Sequence, residues 1–270
     1  MDQERAGGGH EAVSPLARTK GGAGQATAVA PLPGGYHWQA PELVPAEMPD
    51  MAREHAERAG ELRVLRRMLP LPPDAPSRFV DLGSGPGAIA GWVLTSFPRS
   101  SAVCVDFAAG RMAVGKRYLA PFAGRFRFVH GDLNALEWTG ALDAQFDAVV
   151  SAYAIHHVTD ARKQALYAEI FDHLVPGGAF LHLEVVRPPN APLQALYWAK
   201  DGETPVGAWE RRERLAAPEP EPLPPAPAER AVPTLNEQLG WLRDAGFVSV
   251  DCYWKTYALA LFGGYRPLHD

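Results

Sequence analysis

Hydrophobic positions between residues 78 and 186 fall into short apolar runs separated by longer amphipathic segments. The apolar runs predict strands over 78–82, 102–107, 126–130, 146–152 and 179–186. The segments between them predict helices over 88–97, 109–119 and 161–174. Strands that alternate with helices predict a parallel sheet covered by helices on both faces. Pro176, Gly177 and Gly178 predict that the last of these helices stops before a turn.

Beyond the fifth strand the alternation stops. Thr234 and Glu237 have the spacing of a capping box and predict the start of a helix that ends at Gly246. Two β-rich runs follow over 247–254 and 256–262 with no helix between them. These runs predict an antiparallel hairpin that completes the sheet.

The composition divides the chain into five parts. Glycine, alanine and charged residues dominate the first part, residues 1–35, which we expect to be disordered. A helix predicted over 47–69 fills much of the second part, residues 36–77. The fourth part, residues 187–233, is rich in proline and interrupts the alternation of strands and helices. In order, the parts are 1–35, 36–77, 78–186, 187–233 and 234–270.

The overall composition narrows the class of protein. The chain has 270 residues, of which 47% are hydrophobic, and a formal net charge of −5. This charge gives no overall attraction to nucleic acid, whose binding proteins carry basic patches. No apolar run has the length needed to span a membrane and the N-terminus has no apolar signal core, so we expect a cytoplasmic protein. Cys104 and Cys252 lie in apolar runs, which favours core residues over a disulfide or a metal pair.

The most informative segment is Phe79-Val-Asp-Leu-Gly-Ser-Gly-Pro-Gly87, which follows the pattern of a strand, a tight turn and the start of a helix. It contains an acid, Asp81, and three glycines, Gly83, Gly85 and Gly87. Glycines allow the backbone to approach a ligand with no Cβ in the way, and the helix start offers unpaired N–H groups. This layout is typical of a nucleotide-binding βα unit.

The glycines alone also satisfy the relaxed dinucleotide pattern, so Asp81 decides between the two kinds of nucleotide. A carboxylate at the tip of the strand would repel a pyrophosphate, which disfavours a hydride-transfer oxidoreductase. The same carboxylate favours the sulfonium and ammonium groups of S-adenosylmethionine. The unit resembles motif I of class I S-adenosylmethionine-dependent methyltransferases. The order of predicted elements over about residues 45–265 also resembles that family, a Rossmann-like α/β fold with a seven-stranded, mostly parallel sheet and a C-terminal antiparallel hairpin.

The resemblance implies a set of cofactor-binding residues. Asp106 ends the second strand about 20 residues after Gly87, the spacing at which an acid binds ribose hydroxyls, and Asp132 follows the third strand where the family contacts adenine. The alternatives are a strand-end acid or helix cap for Asp106 and an ordinary turn residue for Asp132. The full set is Asp81, Gly83, Ser84, Gly85, Gly87, Asp106, Phe107, Met112, Asp132, Leu133, Ser151 and Ala152.

Methyl transfer requires alignment of the two reactants and, for some acceptors, removal of a proton, so the family has no obligatory catalytic motif. The candidates are His156, His157 and Glu184. The segment around His156 resembles the region of small-molecule O-methyltransferases where a histidine serves as base, and Asp160 places His156 at that position. Alternatively one imidazole only braces the loop. Glu184 could bind a cationic acceptor or act as base, and its alternative is a surface or salt-bridged role. His182 alternates with Glu184 and is expected on the same face of its strand.

Aromatic residues are the candidates for binding the acceptor: Tyr36, Trp38, Tyr153, Tyr197 and Trp198. The insertion at 187–233 falls where the family often has a substrate lid, and we expect 36–77 to form a second, helical cap. The alternative is that these aromatic side chains pack the lid against the core.

The leading hypothesis for function is O-methylation of a small molecule in specialised metabolism. N- or C-methylation of a small molecule is an alternative. A further alternative is modification of wobble uridine in tRNA, for which Arg187, Lys200 and the arginines within 211–214 are the local basic candidates. The last alternative is a non-catalytic module that keeps the cofactor-binding fold. We expect no metal ion and no membrane or nucleic-acid partner, and the oligomeric state stays open, with a homodimer among the options.

Overall fold

The computed structural model describes residues 58–142, 145–197 and 232–269. A seven-stranded sheet contains β1 Ser77–Leu82, β2 Ser100–Asp106, β3 Phe126–His130, β4 Phe146–Ala152, β5 Leu174–Val185, β6 Val248–Thr256 and β7 Leu259–Tyr265. The described α-helices are α1 Ala59–Met68, α2 Ala88–Ser96, α3 Ala109–Tyr118, α4 Asp160–Asp172, α5 Ala191–Tyr197 and α6 Leu235–Asp244.

The strand order is β3-β2-β1-β4-β5-β7-β6. Strands β1 to β5 pair in parallel, and β7 runs antiparallel to both β5 and β6. The predicted fold class is therefore confirmed. Because the strand order reverses between β1 and β4, the carboxyl ends of these strands border the crevice in which open α/β sheets bind ligands.

Each face of the sheet is covered by its own hydrophobic cluster, because neighbouring residues of a strand point to opposite faces. Val80 belongs to the cluster that contains Leu166 of α4 and Leu242 of α6. Phe79 belongs to the cluster that contains Leu65 of α1 and Val93 of α2. The described helices thus lie on both sides, as the alternating pattern predicts.

The capping box predicted for the helix after the insertion is present at the start of α6. Thr234 Oγ1 accepts a hydrogen bond from Glu237 N at 3.3 Å, and Glu237 Oε2 accepts one from Thr234 N at 2.6 Å. The hydrogen bonds lower the pKa of the Glu237 carboxyl. This cap fixes the start of α6. The start of α6 lies next to the end of β5, since Arg187 and Thr234 form a parallel bridge.

The boundary between α4 and β5 differs from the prediction. The helix ends at Asp172 and the strand begins at Leu174, so the Pro-Gly-Gly segment lies within β5 and not in a turn before it. Pairing with β4 shifts register here, Gly177 adopts a φ of 80°, and its N–H donates to Arg266 O at 3.0 Å. The segment is therefore a bulge that keeps its hydrogen bonds. Turns and bulges use the same glycines, which is why the sequence pattern did not separate them.

The C-terminal hairpin forms as predicted, but its turn lies later in the chain. Tyr257, with a φ of 52°, and Ala258 connect the strands. Gly263 and Gly264 look like turn residues in the sequence but lie inside β7. A Cβ on Gly263 would overlap the carbonyl oxygen of Phe180 in β5, so the glycine serves close contact between strands.

Several predictions lie outside the described residues: the disordered tail, the cap before residue 58, and the insertion over 198–231. Helix α1 covers the described end of the helix predicted over 47–69. Among the described helices, none combines the length and apolar character needed to cross a bilayer.

Replacing Gly263 by alanine is expected to destabilise the protein by about 1–3 kcal/mol, because β5 and β7 must separate to admit the methyl group. The matched control is Gly240→Ala on α6, where a Cβ meets nothing within 4 Å and helix propensity favours alanine. Urea denaturation followed by circular dichroism measures both. Equal stability of the two variants would contradict the close contact.

Candidate active site

The glycine-rich loop after β1 is anchored to β2 by its backbone. Gly83, Gly85 and Gly87 all have left-handed conformations, with φ values of 67°, 53° and 84°. The N–H groups of Gly83 and Ser84 donate to Val105 O at 2.8 and 3.0 Å. Three positive φ values within five residues require glycine, so the sequence motif is explained by backbone conformation as well as by room for a ligand.

Two neighbouring segments hold this loop from either side. A Cβ on Gly83 would overlap the Cβ of Ala154 in the loop after β4, so these loops are in close contact. A Cβ on Gly115 of α3 would lie 2.8 Å from the carbonyl oxygen of Pro86. Gly115 was not among the predicted site residues, although an isolated glycine inside a predicted helix is a signal for close packing.

Asp106 connects the ends of β1 and β2. Its Oδ2 accepts from Gly85 N at 2.7 Å and its Oδ1 accepts from Ala108 N at 2.8 Å. The bond to Ala108, two residues further on, is local to the end of β2, whereas the bond to Gly85 orders the glycine loop itself. Each carboxylate oxygen can accept a further hydrogen bond, so the same group can still bind a ribose hydroxyl.

Asp81 lies beneath the loop and is only 1% exposed. Its Oδ2 accepts from Ala90 N in the first turn of α2 at 3.0 Å. Burial raises the pKa of Asp81 to about 7, the hydrogen bond from Ala90 opposes this, and the nearby Asp106 carboxylate adds to it. A cation bound beside Asp81 would lower the pKa of its carboxyl group, because a nearby opposite charge favours the ionised form.

Ser84 provides a direct indication that the loop fits a polar ligand. Its Oγ is buried and has no hydrogen-bond partner among the described residues. Buried hydroxyls are normally paired, so this atom is available to a bound molecule. Together with Asp81 and Asp106, it gives one side of the crevice donors and acceptors suited to an amino acid and a ribose.

Two predicted cofactor-binding residues follow β2, Phe107 and Met112. Met112 is buried on α3, whereas Phe107 is half-buried. The Nη1 of Arg111 would lie 3.7 Å from a Cβ on Gly85, so its guanidinium lies over the glycine loop. Arg111 therefore borders the crevice although it is not among the predicted cofactor-binding residues.

The loop after β3 has the geometry of a turn. Asp132 Oδ1 accepts from the backbone N and the side-chain Nδ2 of Asn134, both at 2.9 Å. Leu133 is buried in the core, and its carbonyl accepts from Arg162 Nε at 2.7 Å. Arg162 is itself held by Glu169, with an Nη2–Oε2 distance of 2.7 Å. Sequence reasoning missed Arg162, which is seven positions before its acid and thus two helical turns away.

The residues after β4 reach the same edge of the sheet. Ser151 is buried and donates from Oγ to Leu82 O at 2.8 Å, so it links β4 to β1. Tyr153 has a φ of 53°, which is unusual for a residue with a side chain. The Arg58 guanidinium lies 4.9 Å from the centre of its ring. Burial raises the pKa of Tyr153 to about 12, with Glu61 adding to the effect, so its hydroxyl stays protonated.

His156 and Glu184 form a pair at the carboxyl ends of β4 and β5. The His156 Nδ1 is 2.8 Å from Glu184 Oε1, and the His156 backbone N donates to Glu184 Oε2 at 3.0 Å. The His156 side chain is 26% exposed, whereas that of Glu184 is 2% exposed. The His157 ring lies 3.9 Å from the His156 ring, centre to centre. His182 Nε2 is 3.3 Å from Glu184 Oε2, which confirms that His182 and Glu184 share a face.

Two opposing effects set the ionisation of Glu184. Burial raises its pKa, but hydrogen bonds from His156 and His182 outweigh that effect, and the pKa lies well below its usual range. A carboxylate is an acceptor only, so His156 carries its proton on Nδ1 and presents the lone pair of Nε2. The pair therefore has the arrangement of an oriented base.

Tyr197 makes its contacts with the C-terminal hairpin. Its hydroxyl accepts from Lys255 Nζ at 3.0 Å, and its ring packs against Tyr257 with 5.6 Å between centres. It borders a cleft of about 170 Å³ beyond the end of β5, lined by Val186, Arg187, Leu193, Leu235 and Lys255 among others. The predicted residues Tyr36, Trp38 and Trp198 lie outside the described residues.

Comparison with known proteins agrees with this geometry. Residues 79–178 match the family model of a methyltransferase domain. Demethylmenaquinone methyltransferase of Thermus thermophilus is 31% identical over 138 residues, which are 51% of this chain and 60% of that protein. Trans-aconitate 2-methyltransferase of Methylobacterium nodulans is 30% identical over 195 residues, 72% of this chain and 66% of that protein. The chain thus spans less than two thirds of either relative.

A solved structure supports the fold. An O-methyltransferase family protein from Burkholderia thailandensis superposes with a TM-score of 0.54 at 16% identity, covering 82% of this chain and 62% of that one. Human N-acetylserotonin methyltransferase in complex with S-adenosylmethionine superposes with a TM-score of 0.53 at 17% identity, covering 80% of this chain and 55% of that one. The family match and the sheet order identify residues 79–178 as a methyltransferase domain of the class I, S-adenosylmethionine-dependent type, as the sequence resemblance predicts.

If Asp81 faces the cofactor, binding of S-adenosylmethionine should depend on pH. Asp81 must ionise to attract a cation, so with a pKa of about 7 the affinity is expected to rise about tenfold from about pH 6 to about pH 8. Calorimetric titration at several pH values measures this. In Asp81→Asn the rise should disappear, since the amide does not titrate; a rise of the same size in that variant would exclude Asp81 as its source.

Asp106→Ala is expected to weaken cofactor binding by about tenfold or more, because it removes hydrogen bonds of a charged acceptor to the glycine loop and to the ribose. The control is Asp147→Ala, whose carboxylate accepts from Arg78 N at 2.7 Å near the opposite end of the sheet. Calorimetry with both variants compares the two. Unchanged affinity in Asp106→Ala would count against its assignment to the ribose.

Proposed function

We propose that this protein transfers the methyl group of S-adenosylmethionine to a hydroxyl group of a small-molecule acceptor. The observation that carries the proposal is the 2.8 Å contact between His156 Nδ1 and Glu184 at the carboxyl edge of the sheet. A hydroxyl is a weak nucleophile until it loses its proton, so an oriented base beside the cofactor crevice suits O-methylation.

The reaction breaks the bond between the methyl carbon and the sulfonium and forms a bond between that carbon and the acceptor oxygen. His156 Nε2 takes the proton that the hydroxyl loses. Glu184 stabilises the resulting imidazolium across the Nδ1–H bond and does not touch the acceptor, because it is almost fully buried. The products are S-adenosylhomocysteine and a methyl ether, and no metal ion is part of this proposal.

The surroundings of the pair support an acceptor of modest size. The loop that carries His156 also contains Tyr153, whose ring and neutral hydroxyl border the same edge. The cleft beside Tyr197 begins two residues after Glu184 and offers apolar walls with Arg187 and Lys255 at its rim. A cleft of this volume suits a single ring or a short chain. We propose that Tyr153 and Tyr197 contribute to acceptor binding.

C-methylation of a hydroxylated ring is the second candidate. One relative is named as a demethylmenaquinone methyltransferase, and others as ubiquinone and menaquinone biosynthesis C-methyltransferases. Removing a proton from a ring hydroxyl also makes the neighbouring ring carbon nucleophilic, so the same base suits either outcome. The position of the added methyl group, determined by NMR of the product, separates the two.

Substituting His156 by alanine is expected to lower kcat by about 10²–10⁴-fold with little change in cofactor affinity. The assay incubates the protein with S-adenosylmethionine labelled in the methyl group and a panel of phenols, quinols and hydroxy acids, and detects products by mass. The loss should shrink at high pH, where the acceptor hydroxyl ionises without help.

The control for this substitution is His173→Ala, since His173 caps α4 near the opposite end of the sheet and its Nδ1 is 2.8 Å from Glu169 O. That variant should keep the wild-type rate. Full activity of His156→Ala at neutral pH would remove His156 from the role of base and, with it, the main support for O-methylation.

A further inference from the structure

A line of buried polar side chains continues from Glu184 into the core, away from the cofactor crevice. His182 Nε2 lies 3.3 Å from Glu184 Oε2, and His182 Nδ1 lies 3.3 Å from Tyr167 Oη. Tyr167 Oη in turn is 2.8 Å from Gln238 Oε1. His182 and Tyr167 are both 0% exposed, and Gln238 is 1% exposed.

These residues come from three elements, β5, α4 and α6, in the middle of an otherwise apolar cluster. The His182 ring stacks on Phe180 with 5.5 Å between centres and lies 4.9 Å from Phe262. Burying polar groups costs free energy unless they are hydrogen bonded, and an apolar core at this point would be simpler to stabilise. The line ends on the carboxylate that holds His156, which indicates a role in positioning that imidazole.

The proton on each bond follows from the chemistry of the groups. Glu184 is ionised and can only accept, so His182 Nε2 carries a proton. A neutral His182 then accepts at Nδ1, and Tyr167 donates to it. Gln238 Nε2 is buried with no partner among the described residues, and turning the amide places this donor on Tyr167 Oη. Donation then runs in one direction, from Gln238 through Tyr167 and His182 to Glu184.

We propose that His182 is a positioning residue that fixes the Glu184 carboxylate and thereby holds His156 with its proton on Nδ1, while Tyr167 and Gln238 keep the proton of His182 on Nε2. The inference rests on the proposed function, in which His156 is the base. Glu184 accepts from His156 Nδ1, from the backbone N of His156 and from that of Val185 at 2.7 Å. Among the hydrogen bonds of the described residues, the His182 contact is the one that reaches the carboxylate from the buried side chains of the core.

The test reads the His156 tautomer directly, so it needs neither the acceptor nor turnover. Protein labelled with ¹⁵N-histidine is studied by long-range ¹H–¹⁵N correlation spectra, in which Nδ1–H and Nε2–H tautomers give different nitrogen shifts. In the wild-type protein His156 should be mainly the Nδ1–H tautomer. In His182→Leu it should lose this preference, with the two forms in exchange. His182→Gln should restore it, because the Gln amide nitrogen can replace Nε2 as donor to Glu184.

Tyr167→Phe gives a second, milder variant that keeps the ring in the core, and it too should weaken the His156 tautomer preference. The matched controls are His173→Gln and Tyr253→Phe, which remove a histidine and a tyrosine hydroxyl bond (Tyr253 Oη to Ser249 O, 2.9 Å) far from Glu184. Both controls should leave the His156 signals unchanged. Thermal unfolding and cofactor titration show that each variant is folded, and if His182→Leu does not fold, Tyr167→Phe decides.

An unchanged His156 tautomer in the folded His182→Leu or Tyr167→Phe variant overturns the inference, as does failure of His182→Gln to restore it. These results are separable from the proposed function. If His156 proves not to be the base, activity of His156→Ala reveals it, whereas the tautomer measurement addresses only whether His182 controls the imidazole. Where an acceptor is known, His182→Leu should also lower kcat by about tenfold to a hundredfold with KM little changed.

Discussion

Buried carboxylates must be hydrogen bonded, and this requirement organises the carboxyl edge of the sheet. Asp106 meets it with the backbone of Gly85 and Ala108, and Glu184 with the backbone of His156 and Val185. The Asp106 carboxylate thereby holds the loops after β1 and β2, and the Glu184 carboxylate holds His156 in the loop after β4 as well as its own neighbour Val185 within β5. These hydrogen bonds help to fix the three loops that border the crevice.

Asp81 and Glu184 show how the same burial produces opposite ionisation. Both are about 1% exposed. Asp81 accepts from Ala90 N and lies near a second acid, so burial dominates and its pKa rises to about 7. Glu184 accepts from two imidazoles and two backbone N–H groups, and its pKa falls. Asp81 therefore has most to gain from a cationic ligand, whereas the charge of Glu184 is already satisfied within the protein.

The sequence pattern predicted most of the fold because hydrophobic periodicity and capping signals are local. The strands, the capping box at Thr234 and the final hairpin all form in the predicted order, with shifted bounds at the start of β5 and at the turn of the hairpin. The differences fall on glycines: Gly177, predicted to mark a turn, lies within β5, and Gly263, which looks like a turn residue in the sequence, lies within β7. Glycine marks a backbone that is unusual or closely approached, and only the neighbouring strands reveal which of the two applies.

The candidate site was predicted unevenly for a related reason. Asp81 and the glycines stand together in a short motif, and Asp106 follows at the spacing typical of nucleotide-binding folds. The bond between Tyr167 and Gln238 joins residues 71 positions apart, and Arg162 of α4 reaches the loop after β3, 29 positions earlier in the chain. No local pattern records such contacts, since each residue alone looks like an ordinary core or surface position.

By itself the sequence determined the order of strands and helices, the glycine loop, and the acids at the strand ends, because each depends on residues close together in the chain. Only the tertiary structure decided which acids would be ionised, which nitrogen of His156 would face the crevice, and that His182 would lie behind Glu184. Those properties depend on burial and on donors brought from distant elements, and both arise only when the helices pack on the sheet.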